Sequence, residues 1–287
     1  MDQTQQANSS FSFGRFLAFL KLLIVTNLFK VILSSVLSFV VTTGALSLVV
    51  YATREFEGND LVVLANILYV GAALGVLFLI AIVCIFFASG TFRSYNIRAT
   101  AWNVVLLPAT RSEKFVAHYI YACLFVPLVF IVAYLAGIAL SYASSYVFGN
   151  EAIDLVTPAS KMFDEIHTWT NAPIVGYTIA TLFIWLLHKQ TIFFTSAALV
   201  RKYPFLTGIA LQFVIDIAYF IFAQAVINPK VEAIVEAIEE AGSNLATADH
   251  LDSAMATAFA WSAIPTLAIT AILVAISWTT YRKRVVP

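Results

Sequence analysis

Six long apolar runs, separated by polar or charged stretches, set the pattern of the chain. They extend from about Val31 to Tyr51, Leu61 to Ala88, Phe115 to Tyr146, Pro173 to Val200, Phe205 to Ile227 and Thr257 to Thr280. A helix needs about 20 residues to cross a hydrocarbon core of ~30 Å, and every run reaches that length. The punctuation agrees with the runs. Charged residues from Arg54 to Asp60 close the first, and Asp60 is placed to cap the second. Gly149-Asn150 suits the end of the third, and Pro173 the first turn of the fourth. Arg201-Lys202-Tyr203-Pro204 is a short turn into the fifth. The pattern predicts an all-α polytopic membrane protein, with residues 1–287 forming a single transmembrane domain.

Outside the spans the periodicity becomes amphipathic. Residues 11–30 carry Arg15, Thr26 and Lys30 near one face, with Lys21 off it, which predicts a helix lying along the membrane surface ahead of span one. The polar decapeptide before Phe11 and the interrupting lysines do not have the form of a signal peptide. In residues 228–242, Val231, Ile234, Val235 and Ile238 share a face, and glutamates fill the remainder. Such a helix either gates or docks a partner, or folds against the outer ends of its own bundle. In the loop 151–171, His167 beside Asp164 and Glu165 lacks a second ligand pair at metal spacing, so no metal is expected.

Composition makes the membrane reading firm. The chain is 61% apolar and 11% charged, where soluble domains average roughly 45–50% and about 25%. Its formal net charge of zero offers no basic field for nucleic acid. Cys84 and Cys123 sit inside apolar runs and read as small hydrophobes. Charge placement then orients the chain. Six spans put both termini on one side, which holds twelve Lys and Arg against Asp2 and Glu113, whereas the other side holds three bases and thirteen acids. The positive-inside rule makes the first side, and both termini, cytoplasmic.

Two ionisable residues fall at membrane depth. Lys189 in span four and Asp216 in span five are about equally distant from the turn at Lys202-Tyr203, so they should meet at one level as an intramembrane ion pair. The alternative is a proton or substrate relay that includes His188 and Gln190. Gly71 and Gly75 form a small-xxx-small pattern suited to close helix packing, either inside the chain or at a dimer contact.

The most informative stretch is the cytoplasmic segment 91–114. Trp102 is available as an interfacial anchor, Arg93 and Arg98 can point outward, and Pro108 breaks the local helix. Thr110-Arg111-Ser112-Glu113 then has the form of a capping box that launches span three. Leu106-Leu107-Pro108-Ala109-Thr110-Arg111-Ser112-Glu113-Lys114 resembles the loop between spans two and three of bacterial type-2 ABC (ATP-binding cassette) exporter permeases. There, L-L-x-L-P-x-S/T-R-x-E forms the coupling helix that contacts the ATPase. The acidic lead common before that motif is replaced here by residues 92–100.

The resemblance implies a permease subunit in the bacterial inner membrane. It would work as a homodimer or beside a related permease, with a separate ABC ATPase subunit. Arg98, Trp102, Leu106, Leu107, Pro108, Thr110, Arg111, Glu113 and Lys114 would form the partner-binding segment. No glycine begins a G-x-x-x-x-G-K-S/T sequence, so any ATP is used through the partner and no cofactor is expected in this chain. H-E-x-x-H, G-x-S-x-G and a paired-acid site are also missing, so no catalytic residue is expected. The competing class is a non-transporting membrane scaffold, for assembly or signalling, with the same topology.

Overall fold

The computed structural model describes residues 11–54, 59–92, 109–148, 172–229 and 247–284, which are helical almost throughout and contain no strand. The helices are α1 (Phe13–Ala52), α2 (Asn59–Ser89), α3 (Arg111–Ile120), α4 (Val126–Phe148), α5 (Ala172–Leu199), α6 (Pro204–Phe222) and α7 (Thr247–Arg284). A π-helical turn, Tyr121–Phe125, joins α3 to α4, and a second, Ala223–Ile227, extends α6. Six of the resulting helical stretches are long and apolar enough to cross a membrane, α3 and α4 counting as one. The chain is therefore a multi-pass membrane protein. It divides into two compact units, residues 1–159 with 285–287 and residues 160–284.

In the first unit α1 and the α3–α4 helix run parallel and pack along their whole length. Phe16 and Phe19 lie against Ala117 at one end, and the Tyr51 and Phe148 rings meet edge to face at the other. Between them, Gly137 lies directly beneath Thr42. A Cβ there would come within 2.8 Å of the Thr42 Cβ, so only glycine allows this approach. The antiparallel α2 leans on both partners, with the Tyr69 and Ser141 hydroxyls 2.7 Å apart and the Tyr134 hydroxyl donating to the Ala73 carbonyl. Small polar groups inside the bundle return their hydrogens to their own helix, as Thr42 does to the Ser38 carbonyl at 2.7 Å. Hydrocarbon offers no other partner to such groups.

The surface helix expected over residues 11–30 does not exist as a separate element. Phe13–Ala52 is one continuous helix of 40 residues. At ~1.5 Å per residue it is about 60 Å long, twice the hydrocarbon thickness. Its buried residues fall in two groups, Phe16 and Phe19 near the start and Val31, Ser35, Ser38, Thr42, Leu46 and Val50 further along. Phe16 and Phe19 pack against Ala117 of α3.

The second unit repeats the pattern of a parallel first and third helix. α5 and α7 are joined at His188–Thr270 and Thr195–Ser277, with spacings of 2.8 and 2.9 Å. α6 returns antiparallel along α5, where Gly208 admits the Phe193 ring against its backbone. The turn between them places Tyr203 in the left-handed region, at φ 60° and ψ 47°, immediately before Pro204 opens α6. α7 continues through Pro265.

Candidate functional site

Thr110 and Glu113 form the capping box at the start of α3. The Glu113 backbone N–H donates to the Thr110 hydroxyl at 3.3 Å, and the Thr110 N–H donates to Glu113 Oε2 at 2.7 Å. Glu113 reaches further than its own helix. The Ser12 backbone N–H, at the N-cap of α1, donates to Glu113 Oε1 at 2.7 Å. Arg15 closes over the same carboxylate with its Nε at 3.3 Å from both oxygens and a terminal nitrogen at 3.0 Å. One fully buried carboxylate thus caps two helices. Each helix presents unpaired N–H groups and the positive end of its dipole to that charge.

The base of the pair is sealed from inside. His118 is buried, with the Phe19 and Phe92 rings edge-on to it at 5.6 and 5.5 Å. Lys114 is buried beside Glu113, whereas Arg111, on the first turn of α3, is exposed. The expected contact segment therefore splits by role. Thr110, Glu113 and Lys114 are bound into the chain's own structure, and Arg111 is offered to solvent. Arg98, Trp102, Leu106, Leu107 and Pro108 lie outside the described residues, as do most of the amphipathic segment 228–242 and the loop 151–171. Arg15 as the partner of Glu113 was missed by reading the sequence. Ninety-eight residues separate the two, and no local pattern links them.

Lys189 and Asp216 meet across α5 and α6, the ammonium 2.9 Å from Asp216 Oδ1. The Lys189 side chain is 17% exposed and that of Asp216 is 54% exposed. The Trp185 ring lies 5.5 Å from the same ammonium, within reach of a cation–π contact. Gly71 and Gly75 are exposed, and a Cβ on either would touch nothing within 4 Å. The close glycine contacts inside the units are instead at Gly137 and Gly208. Among the described residues no group of His, Cys, Asp and Glu could hold a metal ion.

No family model, curated protein or solved structure matches this chain.

Proposed function

We propose that the chain is the membrane-spanning permease subunit of an ATP-binding cassette exporter. It pairs with a second copy or a related permease and couples to a separate ATPase at the 91–114 corner. The observation that carries this reading is the Glu113 clamp. Thr110, near the end of that segment, is hydrogen-bonded to a carboxylate shared by α1 and α3. A load applied to the corner would reach both helices together, since α1 and α3–α4 are parallel and packed throughout. Two spans would then tilt as one rigid pair, as a bistable bundle switching its access requires. Exposed Arg111 gives the partner a handle, and buried Glu113, held by Arg15, gives that handle a fixed mount. ATP hydrolysis resides in the partner, and the basic residues at one set of span ends support a cytoplasmic corner.

The test is affinity purification of the full-length chain in mild detergent, with the co-purifying ABC ATPase identified by mass spectrometry and by ATP turnover. Arg111→Glu combined with Leu107→Ala should abolish the association while the melting temperature stays unchanged. Undiminished ATPase binding by that variant overturns the assignment of the corner. A chain that recovers no ABC ATPase from its native membranes is the non-transporting scaffold instead.

A further inference from the structure

The Lys189–Asp216 pair borders a cavity of about 140 Å³ whose lining comes from α5, α6 and α7, all within the second unit. A cavity of about 150 Å³ accepts benzene, so this one has room for a solute of about six heavy atoms. The ion pair has hydrogen-bonding capacity to spare. Lys189 gives one proton to Asp216 Oδ1 at 2.9 Å, and neither group has a second hydrogen bond among the described residues. That leaves two N–H donors on one partner and the Oδ2 acceptor on the other. The Asp216 side chain is 54% exposed, so the pair can be reached.

Around the pair, lone pairs outnumber donors. Ser262 and Thr266 line the cavity and spend their hydroxyl protons on the Phe259 and Ser262 carbonyls, at 3.0 and 2.8 Å. Thr270 spends its own on the Thr266 carbonyl at 2.7 Å, so its oxygen accepts from His188 Nδ1 at 2.8 Å. In a neutral His188 this fixes the Nδ1–H tautomer and leaves a lone pair on Nε2. His188 is 6% exposed and lines the same cavity. What Ser262, Thr266 and His188 have left to offer is therefore acceptors, and a buried acceptor without a donor costs free energy.

Charge and spacing select the occupant. The wall is formally neutral, so a plain cation or a plain anion would bring one uncompensated charge into a low-dielectric site. A zwitterion brings both signs. Its ammonium donates to Asp216 Oδ2 and to the acceptors around it, and its anionic group accepts from the spare Lys189 N–H groups. The four charges close a ring in which each has two opposite neighbours, and the existing pair stays intact. Such a ring needs ligand charges about as far apart as Lys189 Nζ and Asp216 Oδ1, which are 2.9 Å apart. In an α-amino acid, N–Cα of about 1.46 Å and Cα–C of about 1.52 Å at about 111° put the nitrogen about 2.5 Å from the carboxylate carbon. Alanine, with about six heavy atoms, also matches the volume.

We infer that this cavity is a binding site for an α-amino acid with a small side chain. The carboxylate sits on Lys189, and the ammonium sits among Asp216, His188 and the Ser262 and Thr266 hydroxyl oxygens. The inference rests on the cavity alone and is independent of the ATPase reading, which stands on the Glu113 corner of the first unit.

Isothermal titration calorimetry of the full-length protein in mild detergent tests it, with alanine, methylamine, acetate and phosphoethanolamine as probes. Alanine should bind at one site per chain, about tenfold or more tighter than methylamine or acetate, each of which makes only one of the two charge-assisted contacts. Lys189→Gln and Asp216→Asn should each weaken alanine by about tenfold. Thr266→Val keeps the shape and both charges but removes one acceptor, and should weaken alanine by about fivefold with an unchanged melting temperature. That variant keeps the test decisive if loss of a charge unfolds the bundle. No heat of binding from alanine, equal binding of methylamine or acetate, or binding indifferent to Thr266→Val overturns the site. Phosphoethanolamine, free or as phosphatidylethanolamine vesicles, binding more tightly than alanine overturns the α-amino acid assignment, because its charges stand further apart. ATPase co-purification should be unaffected by Thr266→Val, which keeps the two readings separable.

Discussion

Glu113 shows how one residue can have two structural jobs. Its capping box with Thr110 is local, three residues apart, and any S/T-x-x-E spacing before an apolar run announces it. Its second job, accepting from Ser12 and Arg15, depends on where α1 lies. Removing one partner of a buried ion pair costs about 3–5 kcal/mol, because the other charge stays desolvated. Here Arg15 is partly exposed and can turn to water, so the loss for Glu113→Ala comes mainly from the two orphaned helix N-termini. We expect it to destabilise the protein by about 2–4 kcal/mol, each lost cap being worth about 1–2 kcal/mol. Arg15→Ala should lose less. Denaturant unfolding in detergent, run as a double-mutant cycle, measures both; additive effects would show that the two residues are not coupled.

Glycine contrasts in the same way at single positions. Gly71 and Gly75 have the spacing of a packing motif, yet among the described residues nothing lies within 4 Å of a Cβ on either. Gly137, spaced four residues from Ala133 and Ser141, and Gly208, which has no small residue at that spacing, carry the close contacts among the described glycines. Gly137→Ala should destabilise by about 1–3 kcal/mol, the usual penalty for overpacking, and Gly71→Ala should raise the unfolding midpoint slightly, by up to about 1 kcal/mol in stability.

At the scale of elements, the number and order of the membrane-crossing helices were legible because hydrocarbon thickness sets a minimum apolar run. The hairpin of α5 and α6 was legible too: a four-residue turn fixes the register, and the register brings Lys189 to Asp216. The left-handed Tyr203 in that turn is not a position any residue-type preference announces. Helix α1 is the element that periodicity misread. Arg15, Thr26 and Lys30 near one face suggested a helix lying flat, but no proline or glycine interrupts residues 15–43, and the helix continues through Lys30 to Ala52. Tertiary burial of Phe16 and Phe19 outweighs the local amphipathicity.

At the scale of the molecule, charge asymmetry makes sidedness a testable property. In a cysteine-free background (Cys84→Ser, Cys123→Ser), single cysteines replacing Arg111 and Lys202 should react with an impermeant maleimide only from the cytoplasmic face. A cysteine replacing Arg54 should react only from the opposite face. Labelling of Arg111 and Arg54 positions from the same face would overturn the six-span topology. The two units share an internal logic, a parallel first and third helix with an antiparallel second, which hydropathy does not reveal because it counts spans without saying which of them touch.

By itself the amino-acid order determined that this chain is a helical, multi-pass membrane protein with six apolar helices, and that Thr110 and Glu113 form a capping box. Those properties follow from the solvent and from contacts within a few residues, so they are written locally. Only the tertiary structure decided that residues 13–52 are one helix, that Glu113 serves two helix ends, that the close glycines are Gly137 and Gly208, and that Lys189 and Asp216 border a cavity. Each of these joins residues tens of positions apart. Such pairs are set by which helix faces pack, and packing among uniformly apolar helices leaves little trace in hydrophobic pattern.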